Sequence, residues 1–182
     1  MNDIVVIYES KYGCTRKYAK WISEDLNADL YEKKDFDLNN LNNYKTVVYG
    51  GGLYAGGVSG ASLISKNFDK LENKNVILFT CGLADPNDES NVEGICSGLS
   101  KIFTPEMKES MTIFHFRGGI DYSKLNFVHK TMMAMLKKML SKKDYDSLRN
   151  EDKEMLATYG GVVDFTDKST IIPLVDYVKN IV

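Results

Sequence analysis

The fold of this chain is decided by residues 4–15, IVVIYESKYGCT, in which a buried strand runs through a short polar loop into a helix. The opening apolar run is rich in β-branched side chains, which is typical of a strand covered on both faces. After the loop, apolar side chains recur at the spacing of an amphipathic helix, at Tyr18, Ile22 and Leu26. The loop therefore lies at the carboxyl end of a strand and at the amino end of a helix.

Strand-like and helix-like segments alternate along the rest of the chain. Apolar runs of the same type occupy residues 46–50, 76–80 and 111–116, and a weaker mixed run at 29–32 indicates an edge strand. Helical spacing follows Ser59 and Asp88 and returns in residues 171–181. Because strand–helix–strand crossovers are right-handed, this alternation predicts an α/β three-layer sandwich around a five-stranded parallel sheet.

Residues 118–161 break the alternation. They contain one helix and a charge-dense stretch at 142–153, and a return strand at 160–165 leads into the last helix. The helix carries an apolar stripe formed by Leu125, Val128, Met132, Met135, Leu136 and Met139. We interpret the segment, with bounds of approximately 118–161, as an insertion after the fifth strand of a single domain spanning 1–182.

Composition excludes several function classes. The 23 Lys and Arg residues nearly balance the 25 Asp and Glu residues, so no basic field is available for nucleic acid. The three cysteines form no CxxC pair and the two histidines are far apart, which disfavours a disulfide framework or a metal site. The first residues lack the basic start of a signal peptide, and we expect a cytoplasmic protein.

The first loop predicts a phosphate site. In open α/β sheets, ligands bind beyond the carboxyl ends of the strands. Here hydroxyls at Ser10 and Thr15 and a permissive Gly13 surround a helix start, where unpaired N–H groups and the helix dipole favour an anion. The alternative is a tight turn capped by Thr15 that holds no ligand, and spacing alone leaves both open.

Two further loops have unusual composition. Residues 50–57, GGGLYAGG, allow close approach of the backbone to a flat ligand, or else form a flexible turn. Their near-match to a dinucleotide fingerprint is discounted because the next helix begins too late to meet a phosphate. Residues 80–86, TCGLADP, are small enough to admit the edge of a ring. Cys81 lacks a nearby histidine, so a structural role is expected rather than a nucleophilic one.

The strand ending at Tyr8, the loop SKYGCT at residues 10–15 and the following helix resemble the phosphate loop of flavodoxins, Ser/Thr-x-Thr-Gly-x-Thr. This resemblance implies the sheet order 2-1-3-4-5 and bound flavin mononucleotide (FMN). It assigns the phosphate to Ser10, Gly13, Cys14 and Thr15, with backbone N–H groups from Lys11 and Tyr12. Tyr12 departs from the family, which has a short hydroxyl side chain there.

The two later loops resemble the flavodoxin loops that enclose the isoalloxazine ring. The resemblance assigns ring binding to Gly51, Gly52, Leu53, Tyr54 and Ala55, and to Thr80, Cys81, Gly82 and Leu83. The flavin would carry the chemistry, so no catalytic side chain is predicted. A carbonyl of Gly51 or Gly52 is expected to face the reduced ring.

The layout is also similar to the flavodoxin-like, menaquinone-dependent protoporphyrinogen dehydrogenases. The similarity lies in Thr15-Arg16-Lys17, in the insertion and in Phe165-Thr166-Asp167, whereas residues 142–158 depart from that family's pattern. It implies an FMN oxidoreductase acting on protoporphyrinogen IX, a quinone or another flat hydrophobic substrate. A soluble flavodoxin that serves a redox partner protein is one alternative, although a net charge of −2 is small for an acidic shuttle. A non-redox phosphate-ligand binding protein is another.

The insertion helix allows two interpretations. Residues 124–143 carry six lysines beside the Met/Leu stripe. We expect the stripe to pack into the core and the lysines to be solvated. The alternative is peripheral contact of 124–143 with an anionic membrane, at the inner membrane face.

Overall fold

The computed structural model describes residues 2–54 and 56–182. In chain order its strands are β1 (Ile4–Glu9), β2 (Asp29–Glu32), β3 (Thr46–Tyr54), β4 (Gly57–Val58), β5 (Asn75–Gly82), β6 (Met111–Arg117), β7 (Gly119–Asp121) and β8 (Val162–Asp164). Its α-helices are α1 (Cys14–Leu26), α2 (Ser62–Lys66), α3 (Glu89–Leu99), α4 (Pro105–Glu109), α5 (Phe127–Leu140), α6 (Asn150–Thr158) and α7 (Ile172–Ile181). The chain forms two compact units, one made of residues 1–118 with 166–182 and the other of residues 119–165.

The first unit contains the parallel sheet. Its strands lie in the order β2-β1-β3-β5-β6, and the short β4 pairs antiparallel with β3 outside this path. This is the predicted order 2-1-3-4-5 once the short β4 is left out of the count. The predicted edge position of the run at 29–32 is confirmed, because β2 pairs with β1 on one side only.

Two apolar layers enclose that sheet. Successive side chains of a strand point to opposite faces. In β1, Val5 and Ile7 pack with residues of α2 and α3, whereas Val6 packs with residues of α1 and α7. All three strand residues are fully buried. The predicted three-layer sandwich is confirmed, and its apolar strands are covered on both faces.

The second unit has a small core of its own. Strand β7 pairs antiparallel with β8, with Ile120 opposite Val163, and α5 and α6 meet at a cluster of Leu140, Leu148 and Met155. Its bounds, 119–165, lie within a few residues of the predicted insertion. A single domain over 1–182 stays a prediction. Among the described residues, no helix is long and apolar enough to cross a membrane.

The expectation that the Met/Leu stripe packs into the core is wrong for four of its six residues, whereas Leu125 is buried and Leu136 packs against the cluster of the second unit. Val128, Met132, Met135 and Met139 are exposed, and the helix packs instead through the neighbouring row Met133, Leu136 and Leu140. The helix carries two apolar rows side by side. The row that packs against the cluster is Met133, Leu136 and Leu140, each one residue after a member of the exposed row. Its partner, helix α6, is nine residues long.

Candidate functional site

The carboxyl ends of four parallel strands are level with one another. Glu9 of β1 pairs with Gly51 of β3, Gly51 pairs with Thr80 of β5, and Thr80 pairs with His115 of β6. The loops that follow parallel strands all begin at the same edge of the sheet. The three loops singled out in the sequence therefore begin side by side.

The first loop ends in a helix start without a side-chain cap. Gly13 is the N-cap, with φ 104° and ψ −26°, and the first intrahelical bond runs from the Lys17 N–H to the Gly13 carbonyl at 2.9 Å. The Gly13 N–H donates to Ser10 Oγ at 3.2 Å. Thr15 lies inside the first turn rather than at the cap. The prediction that Thr15 is the cap of this turn is therefore wrong.

This helix start is electrostatically suited to an anion. The N–H groups of a first helical turn have no carbonyl partner within the helix, and the macrodipole adds partial positive charge there. The first turn of α1 contains no acidic residue. Lys11 and Arg16 are exposed beside it. A phosphate would meet amide hydrogens, the hydroxyl of Ser10 and a positive field at the same place.

The second predicted loop is mostly strand and hairpin. Strand β3 continues to Tyr54 because its end pairs with β4, with Leu53 opposite Val58. Gly56, at φ 77°, lies in the turn, and Ala55 falls outside the described residues. The carbonyl of Gly52 already accepts the Ser59 N–H at 2.8 Å. The carbonyl expected to face a flavin ring is therefore part of the hairpin at this position.

Tyr54 links the hairpin to the first loop. Its hydroxyl accepts the Lys11 N–H at 3.3 Å, and its ring meets Tyr12 edge-to-face with centroids 5.8 Å apart. A Cβ at Gly52 would approach the Tyr54 ring to 2.7 Å, so glycine is needed for this arrangement. Burial raises the pKa of Tyr54 to about 12, which keeps the phenol neutral at pH 7. The structure thus brings predicted residues of two loops into direct contact.

Glu9 fixes the hairpin to β1. Its carboxylate accepts hydrogen bonds from Ser59 Oγ at 2.6 Å and Lys33 Nζ at 2.8 Å. Burial by itself would raise the pKa of Glu9, but the hydrogen bonds from Lys33 and Ser59 outweigh it and lower that pKa. Tyr49 adds a hydrogen bond from its hydroxyl to the Ser59 carbonyl at 3.0 Å. Sequence reasoning missed this network, because no local pattern joins residues fifty positions apart.

Arg117 holds the third loop. From the end of β6 it donates through Nε to the Leu83 carbonyl at 3.3 Å and pairs with Asp85 at 3.1 Å. The signal in the sequence that could have found this residue is a cation at the end of a mostly apolar strand. A Cβ at Gly82 would approach Leu53 to 2.7 Å, so the second and third loops are in close contact.

The strand side chains of the third loop point into the protein. Thr80 is fully buried, and its hydroxyl is 2.8 Å from His115 Nδ1. Burial lowers the pKa of His115. Cys81 is a buried thiol in the apolar layer that contains α1, and Cys14 is half-buried. Gly82 and Leu83 are partly exposed and are the predicted residues of this loop that reach the edge.

The described residues contain no group of three His, Cys, Asp or Glu side chains placed to hold a metal ion. The site instead combines a helix start without a side-chain cap, an aromatic pair and two loops with glycines at their closest contacts. Such an arrangement suits a flat ligand that ends in an anionic tail.

Comparison with known families gives one match that covers most of the chain. A family described as "Flavodoxin domain" matches residues 5–147. No curated protein matches the sequence.

Solved structures with a similar fold are distant. A flavodoxin from the domain Archaea is 16% identical, with a TM-score of 0.42, over 63% of this chain and 82% of that one. A flavoprotein from Lactobacillus acidophilus NCFM, solved in complex with FMN, is 18% identical, with a TM-score of 0.42, over 64% of this chain and 93% of that one.

Proposed function

This chain belongs to the flavodoxin domain family, and we propose from that membership that it binds FMN at the edge formed by its three loops and transfers electrons through it. The observation that carries the proposal is the start of α1. Gly13 caps that helix at φ 104° without any side-chain cap, next to Ser10, in a turn free of acidic residues.

The phosphate fits the first loop. We assign it to the hydroxyls of Ser10 and Thr15, to Gly13 and Cys14, and to the backbone of Lys11 and Tyr12. The Tyr54 hydroxyl already accepts the Lys11 N–H, as a phosphate oxygen would, so this amide is oriented for an oxygen acceptor. Because a Cβ added at Gly13 would meet no atom within 4 Å, the space beside this residue is open.

The ring fits against the second and third loops. We assign it to Gly51, Gly52, Leu53, Tyr54 and Ala55 and to Thr80, Cys81, Gly82 and Leu83, with the partly exposed members, Leu53, Tyr54, Gly82 and Leu83, able to touch it. FMN, when bound, supplies a redox centre that accepts and releases electrons. The chain supplies orientation and charge. Arg117, through the Leu83 carbonyl and the Asp85 carboxylate, holds this loop in place against the ring.

The substrate is a finer proposal. We propose an FMN-dependent oxidoreductase of protoporphyrinogen dehydrogenase or quinone-linked type, acting on a flat hydrophobic molecule. The unit at 119–165 supports this over a small electron carrier, because it adds a separately packed segment to the sheet. A soluble carrier that serves a redox partner protein is the second candidate, and the cytoplasmic location stays a prediction.

The test of FMN binding uses a matched pair of serine variants. The purified protein should be yellow, and apoprotein should quench FMN fluorescence with a higher affinity than it shows for riboflavin, which lacks the phosphate. Ser10→Ala removes one hydroxyl from the cradle and should weaken FMN by about tenfold, as expected for a hydrogen bond to a charged group. Ser110→Ala, at an exposed position outside the three loops, should bind FMN like the parent.

Two results would contradict the proposal. A colourless protein that ignores added FMN removes the redox function and favours a non-redox phosphate-ligand binder. Equal affinities for FMN and riboflavin would place the phosphate elsewhere. Anaerobic oxidation of the photoreduced protein by menaquinone analogues, compared with its reduction by protoporphyrinogen, then separates the enzyme from the carrier.

A further inference from the structure

Helix α5 exposes a straight apolar row. Val128, Met132, Met135 and Met139 are 60, 43, 67 and 52% exposed, and Phe127, at the start of the helix, is 84% exposed. The row members follow one another at intervals of four, three and four residues, so they lie along one line of the helix surface. At 1.5 Å per residue the row is about 17 Å long.

This row does not hold the unit together. Met133, Leu136 and Leu140 of the same helix pack against the cluster that includes Leu148 and Met155. Val128, Met132, Met135 and Met139 lie outside that cluster and are open to solvent. A contiguous apolar row in that position marks an interaction surface more often than it marks a structural one.

The segment that carries the row has charged side chains of one sign only. Residues 122–143 contain six lysines and neither Asp nor Glu. Lys138 lies within the helix, while Lys142 and Lys143 follow its end, where the row also ends. Lys137 is engaged differently, with its ammonium 4.3 Å from the centroid of Tyr159, and Lys124 pairs with Asp121. The nearest acidic residues after the helix begin at Asp144.

We propose that α5 lies on an anionic phospholipid surface, with the row of Val128, Met132, Met135 and Met139 in the outer hydrocarbon and with Lys138, Lys142 and Lys143 at the headgroups. Three of the four row members are methionines, whose flexible thioether chains adapt to a fluid boundary. Lysine stems extend along apolar surface while their ammonium groups reach phosphate. A straight row with cations at its end matches a planar boundary of hydrocarbon and negative charge. This proposal does not depend on FMN.

The test is co-sedimentation of the full chain with vesicles. Vesicles of phosphatidylcholine mixed with phosphatidylglycerol should pull down the protein at low salt, and vesicles of phosphatidylcholine alone should bind it far less. Met132→Ser combined with Met135→Ser should reduce binding by about tenfold, because the variant loses the apolar area that the two methionines bury in the hydrocarbon of the membrane. Ile172→Ser, at an exposed apolar position of α7, is the matched control and should bind like the parent.

Charge is tested separately. Lys138→Gln combined with Lys142→Gln should weaken binding by about fivefold per lysine. Lys70→Gln combined with Lys101→Gln changes the net charge equally at exposed positions outside 122–143 and should leave binding unchanged. Circular dichroism of each variant confirms that it is folded.

Several results would overturn the proposal. The chain could remain in the supernatant with anionic vesicles at low salt, or the double serine variant could sediment as well as the parent. A concentration-dependent dimer in lipid-free buffer that the serine changes abolish, without vesicle binding, would assign the row to a second copy of the chain. If both double lysine variants lost the same amount of vesicle binding, the binding would follow the net charge of the protein and would be non-specific attraction.

Discussion

At the scale of single residues, His115 shows how the sheet edge constrains a titratable group. The ring nitrogen of His115 lies 2.8 Å from the hydroxyl of the fully buried Thr80, and burial lowers the pKa of this histidine. A charged imidazolium is disfavoured in that position because it would lose its solvation. The side chain therefore couples protonation to the stability of the strand ends β5 and β6.

We expect the free energy of unfolding to fall as the pH drops below about 6.5, the ordinary pKa of histidine. Below that pH, His115 is protonated in the unfolded chain but stays neutral in the folded protein, whose histidine pKa is lower. The free energy of unfolding therefore decreases as the pH falls from the histidine pKa of the unfolded chain to that of the folded protein. The slope for one proton is at most about 1.4 kcal/mol per pH unit. Urea unfolding at a series of pH values measures it.

The matched controls for this prediction are two histidine variants. His115→Gln can still meet Thr80 but does not titrate, so the slope between pH 5 and 6.5 should flatten (a window set by the ordinary pKa values of about 4 for carboxyls and about 6.5 for histidine). His129→Gln, in the other unit, should leave the slope in place. An unchanged slope in the first variant would assign the pH dependence to other groups.

Single residues also show what the sequence could predict. Gly13 was recognisable because a glycine directly before an amphipathic pattern suits a turn with positive φ, and its φ is 104°. The contacts of Glu9 with Ser59 and of Arg117 with Leu83 were not recognisable. They join residues from distant segments, and only the register of the parallel strands brings these together.

At the scale of elements, helix α5 separates what periodicity can predict from what it cannot. The spacing of apolar residues predicted a helix, and α5 is present at Phe127–Leu140. Two neighbouring rows have that spacing, and which one packs depends on the partner. That partner, α6, was not predicted, because its nine residues, NEDKEMLAT, are mostly polar. Strands β1, β3 and β5 were predictable because both of their faces are buried.

Adjacent residues of α5 test the assignment of its faces. Leu140 is 2% exposed in the core of the second unit, whereas Met139 is 52% exposed. Leu140→Ala should destabilise that unit by about 2–5 kcal/mol, because it leaves a cavity among Leu148 and Met155. Met139→Ala should change stability by less than about 0.5 kcal/mol.

Hydrogen exchange of the amides of α5 and α6 reads out this difference locally. Faster exchange in Leu140→Ala than in Met139→Ala is the expected order. The reverse order would mean that the exposed row, and not the Met133–Leu136–Leu140 row, holds α5 in place.

At the scale of the whole molecule, the chain consists of a sheet unit and a second unit inserted near its end. The Tyr18 side chain joins the two ends of the sheet unit that flank the insertion. The Tyr18 hydroxyl donates to the Arg117 carbonyl at 2.7 Å and accepts the Asp167 N–H at 3.1 Å. Burial raises the pKa of Tyr18, so this hydroxyl keeps its proton. The backbone therefore leaves and re-enters the sheet unit at nearly one point.

This closure predicts that residues 119–165 can be replaced by a short glycine–serine linker. The shortened chain should fold, as measured by circular dichroism and cooperative thermal unfolding, because its core residues lie within 1–118 and 166–182. Adding Tyr18→Phe should lower its stability by about 1–3 kcal/mol, since two part-buried hydrogen bonds are lost. An unfolded shortened chain would show that the sheet unit depends on the inserted residues.

The link that Tyr18 makes between the two chain ends flanking the insertion also has an evolutionary consequence. The segment between these two ends can become longer or shorter, or be replaced, without altering the register of β1, β3, β5 and β6. Selection can then change what such a protein docks onto through one stretch of its gene, while the groups that grip a cofactor descend unaltered through another.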